Sequence, residues 1–318
     1  MTCSRPDVAA AWLDERQEAT RDALAERFGR RAPQPRRRSP WPKRKPKRLA
    51  DLERKAKGAS SHGVRLIAAA VLDACAESPG SPVGVVLHVP AYPGRVSLDA
   101  LDHARRLSGG KSTHADIATD GTTYLPVPHD RQAGHAGSPW NAAMLGIDFA
   151  SPGPVSLHGG KLYRPGTRME GGRRVIYWRG KAYPEAPQAH PDGSPLTLAD
   201  CLDFGDRRRH WPWGRRWWHV LSPAQIYAAA RLIHAWRTVY PRLQSGLILR
   251  HSDIAPQSRC DPGPCVPLEL LRRVVSDAST PIQDSILCDA LGYPERAWRE
   301  LLLAEWYAGG DEPGRTCA

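Results

Sequence analysis

Apolar positions along the chain follow two rhythms. In "DVAAAWLDERQEATRDALAERFG", alanine, leucine, tryptophan and phenylalanine recur every three or four residues, which predicts a helix ending near Gly29. "HGVRLIAAAVLDACAES" repeats the period. "SPAQIYAAARLIHAWRTVYP" states it most clearly: Ser222 stands as N-cap, Pro223 opens the first turn and Pro241 stops the helix. "SLDALDHARRL" predicts a shorter helix capped by Ser97. Three apolar runs are too short for helices and rich in β-branched or large residues: "VGVVLHV" (83–89), "AMLGIDFA" (143–150) and "GLILRH" (246–251). They predict buried strands. "THADIATDGTTYLPV" predicts a hairpin, with Asp120-Gly121 as its turn.

Strands and helices thus alternate, which predicts an α/β domain: a mixed, mostly buried central sheet flanked by helices. The expected organisation is a basic, partly disordered N-terminal extension (1–59), a compact domain (60–267) interrupted by an irregular insertion (151–219), and a helical C-terminal extension (268–318). The last contains three short helical patterns, "LELLRRVVSDA", "PIQDSILCDALG" and "RAWRELLLAEWYAG".

Charge changes this picture at one end only. Of a net +12, most lies in residues 1–57, which hold 17 Lys and Arg against 8 Asp and Glu. In "RRAPQPRRRSPWPKRKPKR" (30–48), prolines forbid a regular helix and repulsion extends the chain. This stretch is either a contact for an anionic surface or polymer, or a solvated linker; nucleic acid is the lesser expectation. No apolar run approaches the ~20 residues of a membrane span. Acidic residues stand where a signal peptide carries its apolar segment, so cytoplasmic synthesis without such a signal is expected. Seven scattered cysteines suit reduced thiols better than a disulfide framework.

Two predicted strands end in histidine, His88 and His251, and strand ends of α/β sheets face the crevice where ligands bind. Asp261 returns to the same point if the loop 252–260 curls back. Two imidazoles and a carboxylate make a three-ligand set with a fourth tetrahedral position open, the pattern of catalytic zinc. The chain has twelve histidines, however, and a strand-end histidine is more commonly a hydrogen-bonded structural residue. Cys260 and Cys265 flank Asp261 without the second pair a thiolate zinc site needs, although Cys260 could compete for a metal. Trp211, Trp213, Trp217 and Trp218, interleaved with arginines, either stack on sugars or acidic groups or fill a satellite core.

The ordered blocks "GVVLHV", "STHADIATDGTTYLPVPHDRQAGHAG", "NAAMLGIDFA", "LSPAQIYAAARLI" and "RHSDIAPQSRCDPGP" resemble the zinc-dependent N-acetylmuramoyl-L-alanine amidases of the type-2 amidase and peptidoglycan-recognition superfamily. The resemblance implies Zn2+ held by His88, His251 and Asp261. It implies a substrate of peptidoglycan or muropeptides, cleaved at the amide between N-acetylmuramic acid and L-alanine. It also implies a general base at Asp148 and an oxyanion-stabilising cation at Arg259. His135 is expected to line the substrate groove, and His114 to make a structural hydrogen bond. Two positions depart from the family pattern: Asp148 stands where glutamate is usual, and Arg259 where lysine is usual. The expected role is a phage or prophage endolysin; the alternatives are a cytosolic muropeptide-recycling amidase, or a peptidoglycan- or nucleic-acid-binding protein without activity.

Overall fold

The computed structural model of the chain describes residues 5–28, 41, 47–59, 61–78, 80–90, 99–101, 104, 113–165, 167–178, 181–204, 217–276 and 295–308. A five-stranded sheet organises them. Its strands are β1 (Gly84–His88), β2 (Ala115–Ile117), β3 (Thr123–Tyr124), β4 (Met144–Phe149) and β12 (Ile248–Arg250), in the order β12-β1-β4-β2-β3. β12, β1, β4 and β2 run parallel, and β3 returns antiparallel from the Asp120-Gly121 turn, where Gly121 takes φ +86°. The predicted mixed sheet and its hairpin are both present.

Side chains alternate across this sheet, and the alternation decides what each helix covers. Val85, Leu87, Leu145, Ile147 and Ala115 face α4 (Pro223–Val239), burying Ile226, Ala230, Ile233 and Trp236 in one cluster. Val86, Met144 and Leu249 face the other way, onto Val64, Ala68 and Val71 of α3 (His62–Glu77). α4 begins as its sequence predicts: the Ser222 hydroxyl accepts the Gln225 N–H, and the Gln225 side chain accepts the Ser222 N–H.

Both described helices of the N-terminal segment are built into these layers. α1 (Pro6–Phe28) places Ala9 and Leu13 in the α4 cluster, and its Thr20 hydroxyl accepts the Leu125 N–H. The helix α2 (Lys47–Gly58) escaped the sequence reading, which left the chain extended to residue 48. It starts directly after the last proline of the basic stretch, where nothing further opposes helix formation, and it buries Leu52 beside α3. Of the basic stretch 30–48, the rest lies outside the described residues save Trp41, which donates to the His129 carbonyl. The predicted Ser97 cap and the middle pattern of the C-terminal segment also lie outside them.

The stretch 151–219 is more regular than its sequence suggests. β5 (Pro154–His158) and β6 (Lys161–Tyr163), joined through the left-handed Gly159-Gly160, pair with β10 (Cys201–Asp203) and β11 (Trp217–His219) in the order β10-β11-β5-β6. β7 (Arg168–Glu170), β8 (Arg173–Trp178) and β9 (Lys181–Pro184) form a separate antiparallel sheet. A buried ion pair, Arg164 Nε to Glu185 Oε1 at 3.0 Å, links β6 to the chain after β9. Trp218 is buried in the main core, while Trp211 and Trp213 lie outside the described residues.

After β12 come α5 (His251–Ile254), α6 (Leu268–Val274) and α7 (Glu295–Ala308). α7 is held to the sheet domain by Trp298, which is buried in the main core and donates to the Leu221 carbonyl at 2.8 Å.

Because α1 shares the α4 core, truncating it should act as a core mutation. Leu13→Ala is expected to cost about 2–5 kcal/mol, read as a lower denaturant midpoint with a single cooperative transition. An unchanged midpoint would mean that α1 is an appendage.

Candidate metal centre

His88 is the last residue of β1, and the alternation of side chains puts it on the α3 side of the sheet with Val86. Register places Asp148 of β4 directly beside it, and Asp116 of β2 beside Asp148. One polar row therefore crosses the C-terminal ends of the parallel strands, above the apolar part of the same face.

His251 does not end its strand as expected; it opens α5. The Asp253 carboxylate accepts the Arg250 N–H at 2.8 Å and so fixes the strand-to-helix corner. This accounts for the aspartate of "HSDIAP" as a capping residue. The chain then turns back through hydrogen bonds from Ser258 and Arg259 N–H to the Ala255 carbonyl, and closes where Ser252 N–H donates to the Asp261 carbonyl at 3.0 Å. Gly263, at φ +77°, completes the return: any Cβ there would strike the Trp218 ring. Asp261 thus lies against His251, ten residues earlier in sequence.

Three donor atoms converge. His88 Nδ1 is 3.0 Å from His251 Nδ1 and 3.3 Å from Asp261 Oδ2, and His251 Nδ1 is 3.1 Å from the same oxygen. Among the described residues this is the group of histidine, cysteine and acidic side chains whose ligand atoms gather closely enough for an ion, and all three residues are buried. The set fits zinc. Bonds of ~2.0–2.1 Å in a tetrahedron put donors ~3.3 Å apart, close to the edges found here, and two imidazoles with one carboxylate are a catalytic type of donor set.

The electrostatics suit a cation. Burial, and then the facing His251 imidazole, hold the His88 pKa down to about 4, so the ring is neutral at neutral pH with a lone pair to give. Burial alone would raise the Asp261 carboxyl, but the His251 and His88 imidazoles hold it far below the ordinary carboxylate range. The Arg259 cation also disfavours a proton on His88, which brings that predicted residue into the electrostatic reach of the cluster.

Asp148 is buried and accepts a hydrogen bond from the Thr113 hydroxyl at 2.9 Å. Thr113 precedes the predicted strand-borne His114, and nothing in its own sequence context singled it out. His114 is fully buried: its Nδ1 accepts the Gly146 N–H at 2.9 Å and its Nε2 bonds the Arg131 carbonyl at 2.8 Å. His135, expected along the substrate groove, has both ring nitrogens engaged within the protein. Nδ1 meets His88 Nε2 at 2.9 Å and Nε2 meets the Met144 carbonyl at 3.0 Å. Its ring lies against Gly146, where an added Cβ would come within 2.7 Å. Cys265 is buried and Cys260 packs against the main core. A cleft of about 540 Å3 opens between α2, α3 and the loop after α5, with Arg54, Lys55, Ser138, Pro139 and Gln257 on its walls.

No curated protein matches the chain. Among solved structures, it is similar to a selenomethionine derivative of AmpD (19% identity, 62% of this chain and 86% of that one, TM-score 0.34). It is also similar to the endolysin N-acetylmuramoyl-L-alanine amidase LysCS from Clostridium intestinale URNW (16% identity, 61% and 82%, TM-score 0.32). A third is AmpDh3 from Pseudomonas aeruginosa (18% identity, 68% and 70%, TM-score 0.34). The family profile described as N-acetylmuramoyl-L-alanine amidase, Amidase_2, matches residues 78–264, more than half of the chain, a span that includes His88, His251 and Asp261. On that match, the chain belongs to the N-acetylmuramoyl-L-alanine amidase family and is an enzyme of that class.

Proposed function

We propose that the protein is a zinc-dependent amidase that hydrolyses the bond between N-acetylmuramic acid and the L-alanine of the stem peptide, and that it acts on assembled wall as an endolysin. The convergence of His88, His251 and Asp261 carries the zinc part of this reading. Zinc bound there would supply a Lewis acid that polarises a carbonyl and acidifies water. His88, His251 and Asp261 would hold it, and their burial keeps bulk water from competing for the donors.

The remaining polar groups have separable tasks in this proposal. Asp148, held by Thr113, receives the proton lost by the attacking water and returns it to the departing L-alanine nitrogen. Arg259 offers a permanent positive charge to the oxygen that becomes negative as the carbonyl is attacked. Residues 60–267 form the catalytic unit, and 1–59 and 268–318 are flanking segments whose described helices contribute Leu13, Leu52 and Trp298 to its cores. The basic stretch 30–48 supports the endolysin reading, because dense cationic charge suits an anionic wall polymer or membrane surface.

Wild-type protein is expected to hold one zinc per chain and to release stem peptides with a free L-alanine amino group from purified sacculi, read by mass spectrometry. Hydrolysis of soluble anhydro-muropeptides with none on sacculi would favour the recycling role. His251→Ala is expected to lose both metal and hydrolysis; stoichiometric zinc with intact activity in that variant rules out the ligand set. Asp148→Asn should keep zinc while turnover falls about 10²–10⁴-fold, and Asp148→Glu should keep or raise activity. Unchanged turnover in the asparagine variant moves the base elsewhere. Replacing Arg36, Arg37 and Arg38 with glutamine should weaken co-sedimentation with sacculi, most visibly at low salt. If co-sedimentation is unchanged, the basic stretch has no part in wall binding.

A further inference from the structure

The ring of His135 sits between a fixed acceptor and a metal-ligand histidine, and that placement constrains where protons reside. A backbone carbonyl can only accept, so the 3.0 Å contact between His135 Nε2 and the Met144 oxygen requires the proton on Nε2. In the neutral imidazole, Nδ1 then presents a lone pair. The atom it meets, 2.9 Å away, is His88 Nε2, which must therefore carry the proton of that hydrogen bond. His88 is left with its lone pair on Nδ1, the atom that faces His251 and Asp261. We propose that His135 is a positioning residue that fixes the tautomer and ring orientation of His88 for metal binding, through the relay Met144 carbonyl, His135, His88. This rests on the reading of His88 as a zinc ligand.

The surroundings hold His135 for that task. Its own N–H and that of Ala136 both donate to Asn141 Oδ1, at 3.1 and 2.8 Å, which locks the loop behind the ring. Gly146 leaves the strand without a side chain where the ring lies, since a Cβ there would be 2.7 Å from its atoms. The ring planes of His135 and His88 are nearly perpendicular, at 86°, and their centroids lie 5.1 Å apart, the spacing of two imidazoles that meet nitrogen to nitrogen, edge to edge, at 2.9 Å. Ligand histidines commonly donate their second nitrogen to a carboxylate, carbonyl or water. Here another imidazole stands between ligand and carbonyl, so two tautomers are set by one backbone oxygen.

The test begins with metal-free wild-type protein labelled with 15N in its histidines. NMR should show His88 protonated at Nε2, His135 protonated at Nε2, and a coupling across the hydrogen bond between His88 Nε2 and His135 Nδ1. A proton on Nδ1 of either ring overturns the proposal, and this measurement needs no variant to fold. Zinc dissociation constants from chelator competition supply the second arm. His135→Leu, which cannot accept the bond, should bind zinc about 10–100-fold more weakly. His135→Gln, whose amide can accept from His88 and donate to Met144, should recover most of that loss. Wild-type affinity in the leucine variant, or a glutamine variant as impaired as the leucine one, overturns the positioning role. A wild-type protein that binds no zinc at all overturns the metal reading itself, and the tautomer measurement on the metal-free chain tells the two failures apart.

Discussion

Two imidazole nitrogens and a carboxylate oxygen held about 3 Å apart in a buried place set the terms for the rest of this structure. Lone pairs so arranged repel one another unless a cation or shared protons lie between them, and burial removes the water that would otherwise relieve the repulsion. The fold has to hold the three atoms in register, and its parts can be understood by how they do so. β1 delivers His88 at its end, the β12-to-α5 corner delivers His251, and the closed loop from Ser252 to Asp261 delivers the carboxylate. Trp218, packed under Gly263, ties that loop to β11, the last strand of the insertion.

Much of this was legible in the sequence, for reasons tied to range. The strand ending at His88, the α4 helix with its Ser222 cap and the Asp120-Gly121 hairpin follow from local periodicity and turn chemistry. The candidate trio of His88, His251 and Asp261 stood out only when the ordered blocks were taken together as a family resemblance, because spacing alone leaves twelve histidines nearly equivalent. What escaped depends on contacts between distant residues. Nothing local marks Thr113 as the donor to Asp148 across 35 positions, or His135 as the partner of His88 across 47. α2 was hidden by the proline-rich run before it, whose extended reading was carried through Arg48 into the first turn of the helix. The insertion looked irregular because its strands are short and β7 is exposed throughout, so apolar alternation has little to record there.

The two departures from the family pattern take on structural meaning beside these contacts. Asp148 is shorter than the usual glutamate, but the Thr113 hydroxyl fixes one of its oxygens. Arg259 sits in the turn closed on Ala255, so its planar cation starts from a restrained backbone two residues before Asp261. In each case a chemically related group is held by contacts of this chain's own, which is the condition under which altered geometry is compatible with the same reaction.

Zinc K-edge X-ray absorption of the zinc-loaded protein reads directly which atoms of the His88, His251 and Asp261 cluster bind the ion. The expected spectrum has a first shell of nitrogen and oxygen only, at about 2.0–2.1 Å, with outer-shell scattering from two imidazoles. A sulfur at about 2.3 Å would place Cys260 or another thiolate on the metal in place of Asp261, and would contradict the site described here.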